Sequence, residues 1–419
     1  MSKTPKRNLL ENFLSLSALQ IVSYVIPLIS LPYLSRVLGV EKFGLVFFAF
    51  AFMTYFIILT DYGFGLSATR EIAVNRHNKN NLSNIFSAVT CLKFIMLIAS
   101  YIILLIISVF VPKINQNWLV FQLSFLMVIG NALYPVWFFQ GMERMKYITF
   151  LNILAKLIFL VLIFLFVKQE SDYIIVPLLN SLGFLVSGII GMYFAIKKLG
   201  AKLYIPSLKS IKKQFKYSSD FFLSRASVSL VTNTNSFCLG LISSNIMVGY
   251  YVAAEKIYQA MQGVCNPINQ ALYPFVAKNR DIKLYKKIFY VSVIINIFIC
   301  AFIFVFAKNL ITIFYGQEML PAYRVLRVFS IAMLLDFPTI LIGYPFIAAL
   351  GYTKETNISV MFTAIFHLIG LSILYITHHL NIYYISYLVA MSVFVTFSFR
   401  FGTVIKYKLW NKNYKETSQ

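Results

Sequence analysis

Charge is scarce in this chain of 419 residues: Asp, Glu, Lys and Arg make up 12% of it, about half the share found in a soluble domain. Acids are scarcer still, 14 against 37 Lys and Arg, which leaves a formal net charge of +23. No GxxxxGK[ST] phosphate loop occurs, so ATP hydrolysis by that route is excluded. HExxH, GxSxG and metal-spaced Cys/His clusters are likewise missing, and no metal site is expected. Cys91, Cys238, Cys265 and Cys300 lie inside apolar runs without CxxC spacing, and they read as small buried apolar residues. No stretch between the apolar runs is long enough for a catalytic domain.

What the chain has instead is lipid-compatible sequence, 59% hydrophobic and 17% aromatic. Apolar runs of about 20 residues, each able to cross a hydrocarbon core of roughly 30 Å, recur from end to end. Twelve spans are expected, at 12–36, 43–62, 83–111, 117–139, 147–167, 173–196, 216–241, 246–277, 285–307, 325–350, 357–377 and 382–405. The first run is too long for a signal-peptide core and lacks a small-residue cleavage site, so it is expected to remain as a span. With the N-terminus inside, 25 cations fall on cytoplasmic segments. The outer segments hold five, Arg36, Lys42, Lys113, Lys168 and Lys308. That asymmetry fixes both termini on the cytoplasmic side, and it accounts for the basic balance without nucleic acid. The expected organisation is an N-terminal lobe over 1–200, a basic amphipathic linker over 201–216, and a C-terminal lobe over 217–419. In the linker Leu208, Ile211 and Phe215 share a stripe while Lys209, Lys212, Lys213 and Lys216 point elsewhere, a pattern that suits a short helix on the inner leaflet or a plain basic connection.

The chain repeats itself. YPVWFFQGMERMK at 134–146 ends the fourth span and YPFIAALGYTKET at 344–356 ends the tenth. LGVEKFGLV at 38–46 also echoes LISSNIMVGYY at 241–251, with Gly44 opposite Gly249. Two halves of six spans keep one orientation, which gives a parallel repeat about an axis along the membrane normal and a substrate path between the halves. Pro27, Pro32, Pro135, Pro177, Pro267, Pro274, Pro338 and Pro345 would bend helices around such a path.

Several charges fall deep in the spans. Lys93, Lys156, Arg225, Glu255, Lys256 and His367 lie about 13–15 Å from the nearest span end, and Asp336 somewhat past a midpoint. Each such charge costs at least about 2.5 kcal/mol unless it meets water or a partner. The deep cations outnumber the deep acids, so a cavity lined by them suits an anionic substrate. Asp220, Arg324, Arg327 and Arg400 lie nearer span ends, where snorkelling accounts for them. His367 is isolated and reads as a packing histidine.

The segments LPYLSRVLGVEKFG (31–44), LTDYGFGLSATREIA (59–73), YPVWFFQGMERM (134–145), SSDFFLSRASVSL (218–230), VGYYVAAEKI (248–257) and NPINQALYPFVAK (266–278) resemble those of Wzx-type O-antigen and polysaccharide repeat-unit flippases. These belong to the multidrug/oligosaccharidyl-lipid/polysaccharide exporter superfamily. The resemblance implies an all-α polytopic membrane protein, two six-helix lobes forming a V around a central cavity, in a bacterial inner membrane. It implies an undecaprenyl-diphosphate oligosaccharide as substrate, moved to the outer leaflet by alternating access, with no cofactor but proton or sodium coupling. The polymerase and chain-length regulator of the same pathway are further expected partners. On matched positions, Arg225 and Lys256 are expected to contact the diphosphate or acidic sugars, supported by Lys93, Lys156 and Arg70. Asp61, Glu71, Asp220, Glu255 and Asp336 are expected to balance charge or couple an ion. Two rival readings are an ion-coupled multidrug exporter, which would favour acids in the cavity, and a membrane-embedded polysaccharide polymerase, which would need a larger outer loop.

Overall fold

The computed structural model describes residues 5–410, and for 5–22, 24, 220, 221, 223–233, 264 and 271 the backbone alone. Every regular element among them is helical, as a bilayer demands of segments that must satisfy their own backbone polar groups. Nine stretches of the described residues are long and apolar enough to cross a membrane, and the chain is a multi-pass membrane protein of the all-α class. It forms two compact units, Met1–Phe237 and Cys238–Gln419.

The first unit begins with α1, Pro5–Asp61, which is broken at Gly39, where φ is 67° and ψ 171°, a conformation that glycine alone adopts without strain. After a turn through Tyr62 and Gly63, both at positive φ, the chain continues as α2, Phe64–Asn75. The helix thus ends at Asp61, beside the expected limit at 62, and α2 is a further helix of about three turns whose Gly65 and polar Thr69-Arg70-Glu71 lower the local hydropathy. There follow α3, Lys79–Phe110, the short α4, Pro112–Gln116, and α5, Trp118–Leu133. The first Tyr-Pro motif then breaks the helix, because Pro135 has no N–H to give and crowds the preceding turn. It opens α6, Val136–Gly141, and drives Trp137, Phe138 and Phe139 into a core built with Phe64, Ile72 and Phe86. Tyr134 locks the break: its Oη donates to the Ile148 carbonyl at 2.9 Å and accepts from Asn152 Nδ2 at 3.0 Å, both on α7, Met145–Phe166. Between the turns that follow α2 and α6, Arg76 Nη2 lies 2.7 Å from Glu143 Oε1. The hydrogen bond from Arg76 holds the Glu143 carboxyl below its usual range.

Next comes α8, Ile175–Tyr193, which ends in a wide π-turn segment, Phe194–Lys198, and is followed by α9, Leu208–Ile242. The stretch 208–216, where a separate short helix was one expectation, is the opening of α9 itself, and its Ile211 packs against the α2–α3–α6 core.

The second unit contains α10, Asn245–Asn279, α11, Ile282–Tyr315, α12, Ala322–Ile342, α13, Thr353–Ile376, and α14, Ile382–Lys406. Its element order repeats that of the first half. The register that sets Gly44 opposite Gly249 also sets Gly39 opposite Ser244, the N-cap of α10, so both copies break at one position. The second Tyr-Pro motif ends α12 in a π-turn segment, Gly343–Ala348. There Tyr344 Oη donates to Asn357 Oδ1 at 2.7 Å, and Phe346 is buried in a stack on Tyr285, with ring centroids 4.4 Å apart. The motif occurs twice because each half needs the same device, a proline break that ties off the fourth span and plants an aromatic ring in the core.

In the first unit α5 and α8 cross with almost no space between backbones. A Cβ on Gly188 would come within 2.5 Å of the Gly130 carbonyl oxygen, and without a hydrophobic drive between helices in lipid such close approach supplies the packing. Gly188→Val is therefore expected to destabilise the protein by about 1–3 kcal/mol, read as a lowered unfolding temperature in detergent. Gly402→Ala, which meets nothing within 4 Å, should not lower it.

Candidate functional site

The deep charges of the first unit find one another through chain geometry. Asp61 lies fourteen residues before the end of α2 and Lys93 fourteen residues after the start of α3, and the two helices are joined by a short turn. The residues accordingly meet at one depth, with Lys93 Nζ 3.5 Å from Asp61 Oδ1. Lys93 is buried, at 3% exposure, so its charge is largely spent on Asp61. Along its own length α2 is joined to the opening of α9 by a row of polar contacts. Ser67 Oγ lies 2.7 Å from Ser218 Oγ. Glu71 accepts from the Gln214 amide and lies 3.6 Å from Lys213 Nζ, and the exposed Arg70 donates to Tyr217 Oη at 3.5 Å. Tyr62 stacks between Phe215 and Phe222, with centroids 4.8 and 4.7 Å away. Arg70 and Glu71 thus serve this helix pairing near the surface rather than the midplane. Lys156 differs from all of these. Halfway along α7 and half-buried, it has no ionic or hydrogen-bonding partner among the described residues.

In the second unit the acid at the centre is Asp336 on α12, 9% exposed. Tyr258 Oη donates to its Oδ2 at 2.6 Å and Gln262 Nε2 at 2.7 Å. These two donors are one helical turn apart on α10 and so present a single face. Arg400 on α14 corrects the sequence expectation: it does not snorkel but is buried at 7% exposure. Its Nη1 donates to the Thr339 carbonyl at 2.8 Å and its Nε to Ser359 Oγ at 3.0 Å. Gly343, at the start of the π-turn segment, leaves the room, for a Cβ there would collide with the guanidinium. Distance from the helix end located Arg400 along the membrane normal but not sideways, where α12 and α13 cover it. The signal that could have found it is that Arg400 is the one charge in α14 before Lys406.

Lys256, half-buried on α10, donates from Nζ to the neutral Gln259 Oε1 at 3.0 Å and has no carboxylate partner among the described residues. Glu255 beside it is also half-buried. His367 is buried, with Nδ1 2.9 Å from Ser392 Oγ. The side chains of Asp220 and Arg225 lie outside the described residues. A cavity of about 860 Å³ in this unit, lined by Phe289, Pro338, Phe397 and Phe401 with Lys408 among them, is apolar and contains none of the sequence-predicted residues.

Residues 9–280 match the profile of a family described as "Polysaccharide biosynthesis protein". The chain belongs to this family. A protein of Escherichia coli (strain K12) named "Putative O-antigen transporter" is 35% identical over 274 residues, 65% of this chain and 66% of that one. One of Shigella dysenteriae with the same name is 30% identical over 318 residues, 75% of this chain and 78% of the relative. The fold of this polysaccharide biosynthesis family member is shared with solved transporters. An inward-facing MATE family multidrug transporter of the MOP superfamily aligns over 97% of this chain and all of its own, at 17% identity and a TM-score of 0.71. "Lipid II flippase MurJ, inward closed conformation" aligns over 96% of this chain and 89% of its own, at 14% identity and a TM-score of 0.73.

Removing one member of the Asp61–Lys93 pair leaves a charge stranded. Lys93→Met is expected to cost somewhat less than the ~3–5 kcal/mol of a wholly buried pair, because the Asp61 side chain is 30% exposed. Adding Asp61→Asn should recover most of the loss. A double-mutant cycle on unfolding temperatures checks this, and strict additivity would refute the coupling.

Proposed function

We propose that this protein is a transporter, not an enzyme: a flippase that carries undecaprenyl-diphosphate-linked oligosaccharide repeat units from the cytoplasmic to the outer leaflet for O-antigen or other surface polysaccharide assembly. Membership of the polysaccharide biosynthesis family and the two named relatives support the cargo class. The observation that carries the reading is the pair of deep cations, Lys156 on α7 and Lys256 on α10, that have no carboxylate partner among the described residues. A lysine held in hydrocarbon without a counter-ion is costly. The diphosphate supplies that counter-ion, and the prenyl chain stays in lipid while the head crosses.

The twelve spans form two lobes of six, both termini are cytoplasmic, and the membrane is the bacterial inner one. The positive-inside distribution and the repeated element order support this arrangement. Arg225 joins Lys156 and Lys256 in capture. Asp61 neutralises Lys93, and Asp336, held by Tyr258 and Gln262, is the carboxyl best placed to exchange a proton or to order a sodium ion during the cycle. The polymerase and chain-length regulator act on the cargo afterwards.

The test is a proteoliposome assay with the lipid-linked oligosaccharide in one leaflet, scoring its exposure to an impermeant probe in the other. Protein-dependent exposure is expected, with Lys256→Ala and Lys156→Ala each lowering the initial rate by about tenfold at unchanged membrane abundance. Exposure that is unaltered in both variants overturns the capture role. No exposure with wild type, with and without an ion gradient, overturns the flippase.

A further inference from the structure

On the opposite edge from the inner loops, in the second unit, the outer end of α11 and the first turns of α12 and α14 enclose a basin of about 650 Å³. Arg324 and Arg327 from α12 line it together with Tyr323, Tyr383, Tyr384 and Tyr387, and Lys308 stands over the Tyr323 ring at 5.1 Å. Snorkelling of two arginines at a span end is the sequence expectation, but the geometry is more specific. The Arg327 guanidinium lies over two aromatic rings, 5.1 Å from the Phe304 centroid and 5.2 Å from the Tyr323 centroid. Its Nε is spent on the Phe304 carbonyl at 3.1 Å, which leaves both terminal nitrogens without an acceptor among the described residues. Arg324 leans on the Tyr323 hydroxyl at 3.4 Å. None of the three cations forms an ion pair among the described residues. α12 and α14 both begin here, so their positive dipole ends add to the field.

A fixed guanidinium with its fork open matches a phosphate oxygen pair, and three uncompensated cations suit a polyanion better than a single phosphodiester. The exposed Tyr384 and Tyr387 offer stacking and hydroxyl contacts to a pyranose, and Phe304, Val328 and Ile331 give the basin an apolar wall. We infer that this basin is an outer-face docking site for the diphosphate-sugar head of a prenyl-linked glycolipid, occupied after translocation, with the diphosphate on Arg324, Arg327 and Lys308 and the first sugar on Tyr384 and Tyr387. The assignment of this edge to the outer face rests on the proposed function and its topology. The site itself is distinct from the deep lysines, and it draws the head away from them once the cargo has crossed.

The experiment measures binding of farnesyl-diphosphate-linked N-acetylglucosamine to the full chain in phosphatidylcholine nanodiscs, in a Lys256→Ala background that weakens the deep site. Arg324→Gln with Arg327→Gln should weaken binding by at least about tenfold. Tyr384→Ala with Tyr387→Ala, both at exposed positions, should weaken the sugar-bearing probe more than farnesyl diphosphate, which keeps the test decisive if the arginine variant fails to fold. Binding indifferent to both pairs of substitutions overturns the site. So does equal competition by phosphatidylglycerol at the same mole fraction, the mark of a bulk-lipid contact, and so does equal affinity for inorganic pyrophosphate, the mark of a free-anion site. The flipping assay on wild type separates the two readings. Arginine-dependent binding in a protein that does not flip keeps the basin and loses the flippase, whereas flipping with arginine-independent binding does the reverse.

Discussion

A charge placed in hydrocarbon must have somewhere to discharge its field, and this constraint organises the molecule. Lys93 finds Asp61. Asp336 draws two donors from one face of α10, and Arg400 takes a backbone carbonyl and a hydroxyl in a gap that only a glycine leaves open. Each of these groups is satisfied within its own unit. Among the described residues Lys156 and Lys256 are not given a carboxylate, and the contrast with the paired Lys93 and the bonded Asp336 and Arg400 supports the proposed capture role.

The membrane class and the helix order were legible because lipid imposes a length and a hydrophobicity on every span. Proline breaks were legible as well, since Pro135 and Pro345 act through their own covalent geometry. What pattern alone left open was lateral. Residue depth can be counted along a helix, yet the partner across the gap depends on which face turns inward. Lys93 thus read as a cavity cation although it is paired, and Arg400 as a snorkelling one although it is covered. Tyr258 and Gln262 went unnoticed because neither is charged, and they became visible only once Asp336 stood opposite them. The helix α2 escaped for another reason: a polar helix that follows a glycine turn has the hydropathy of a loop.

Duplication gives the two halves the same skeleton but not the same chemistry. Both break at aligned positions, Gly39 and Ser244, and both close the fourth span with Tyr-Pro. The first copy ends that span in a clean break with a buried tyrosine, and the second in a π-turn segment that makes room for Arg400. The backbone motif was retained while the residues around it took on separate duties.

The division of the chain inside α9 bears on how the protein is made. The first compact unit runs to Phe237, well past the end of α8 and into α9, and the polar row on α2 obtains its partners from Gln214, Tyr217 and Ser218. A nascent chain that stops short of α9 lacks the Gln214, Tyr217 and Ser218 side chains that Glu71, Arg70 and Ser67 meet in the finished protein. That face of α2 is therefore completed only when the opening of α9 has been made.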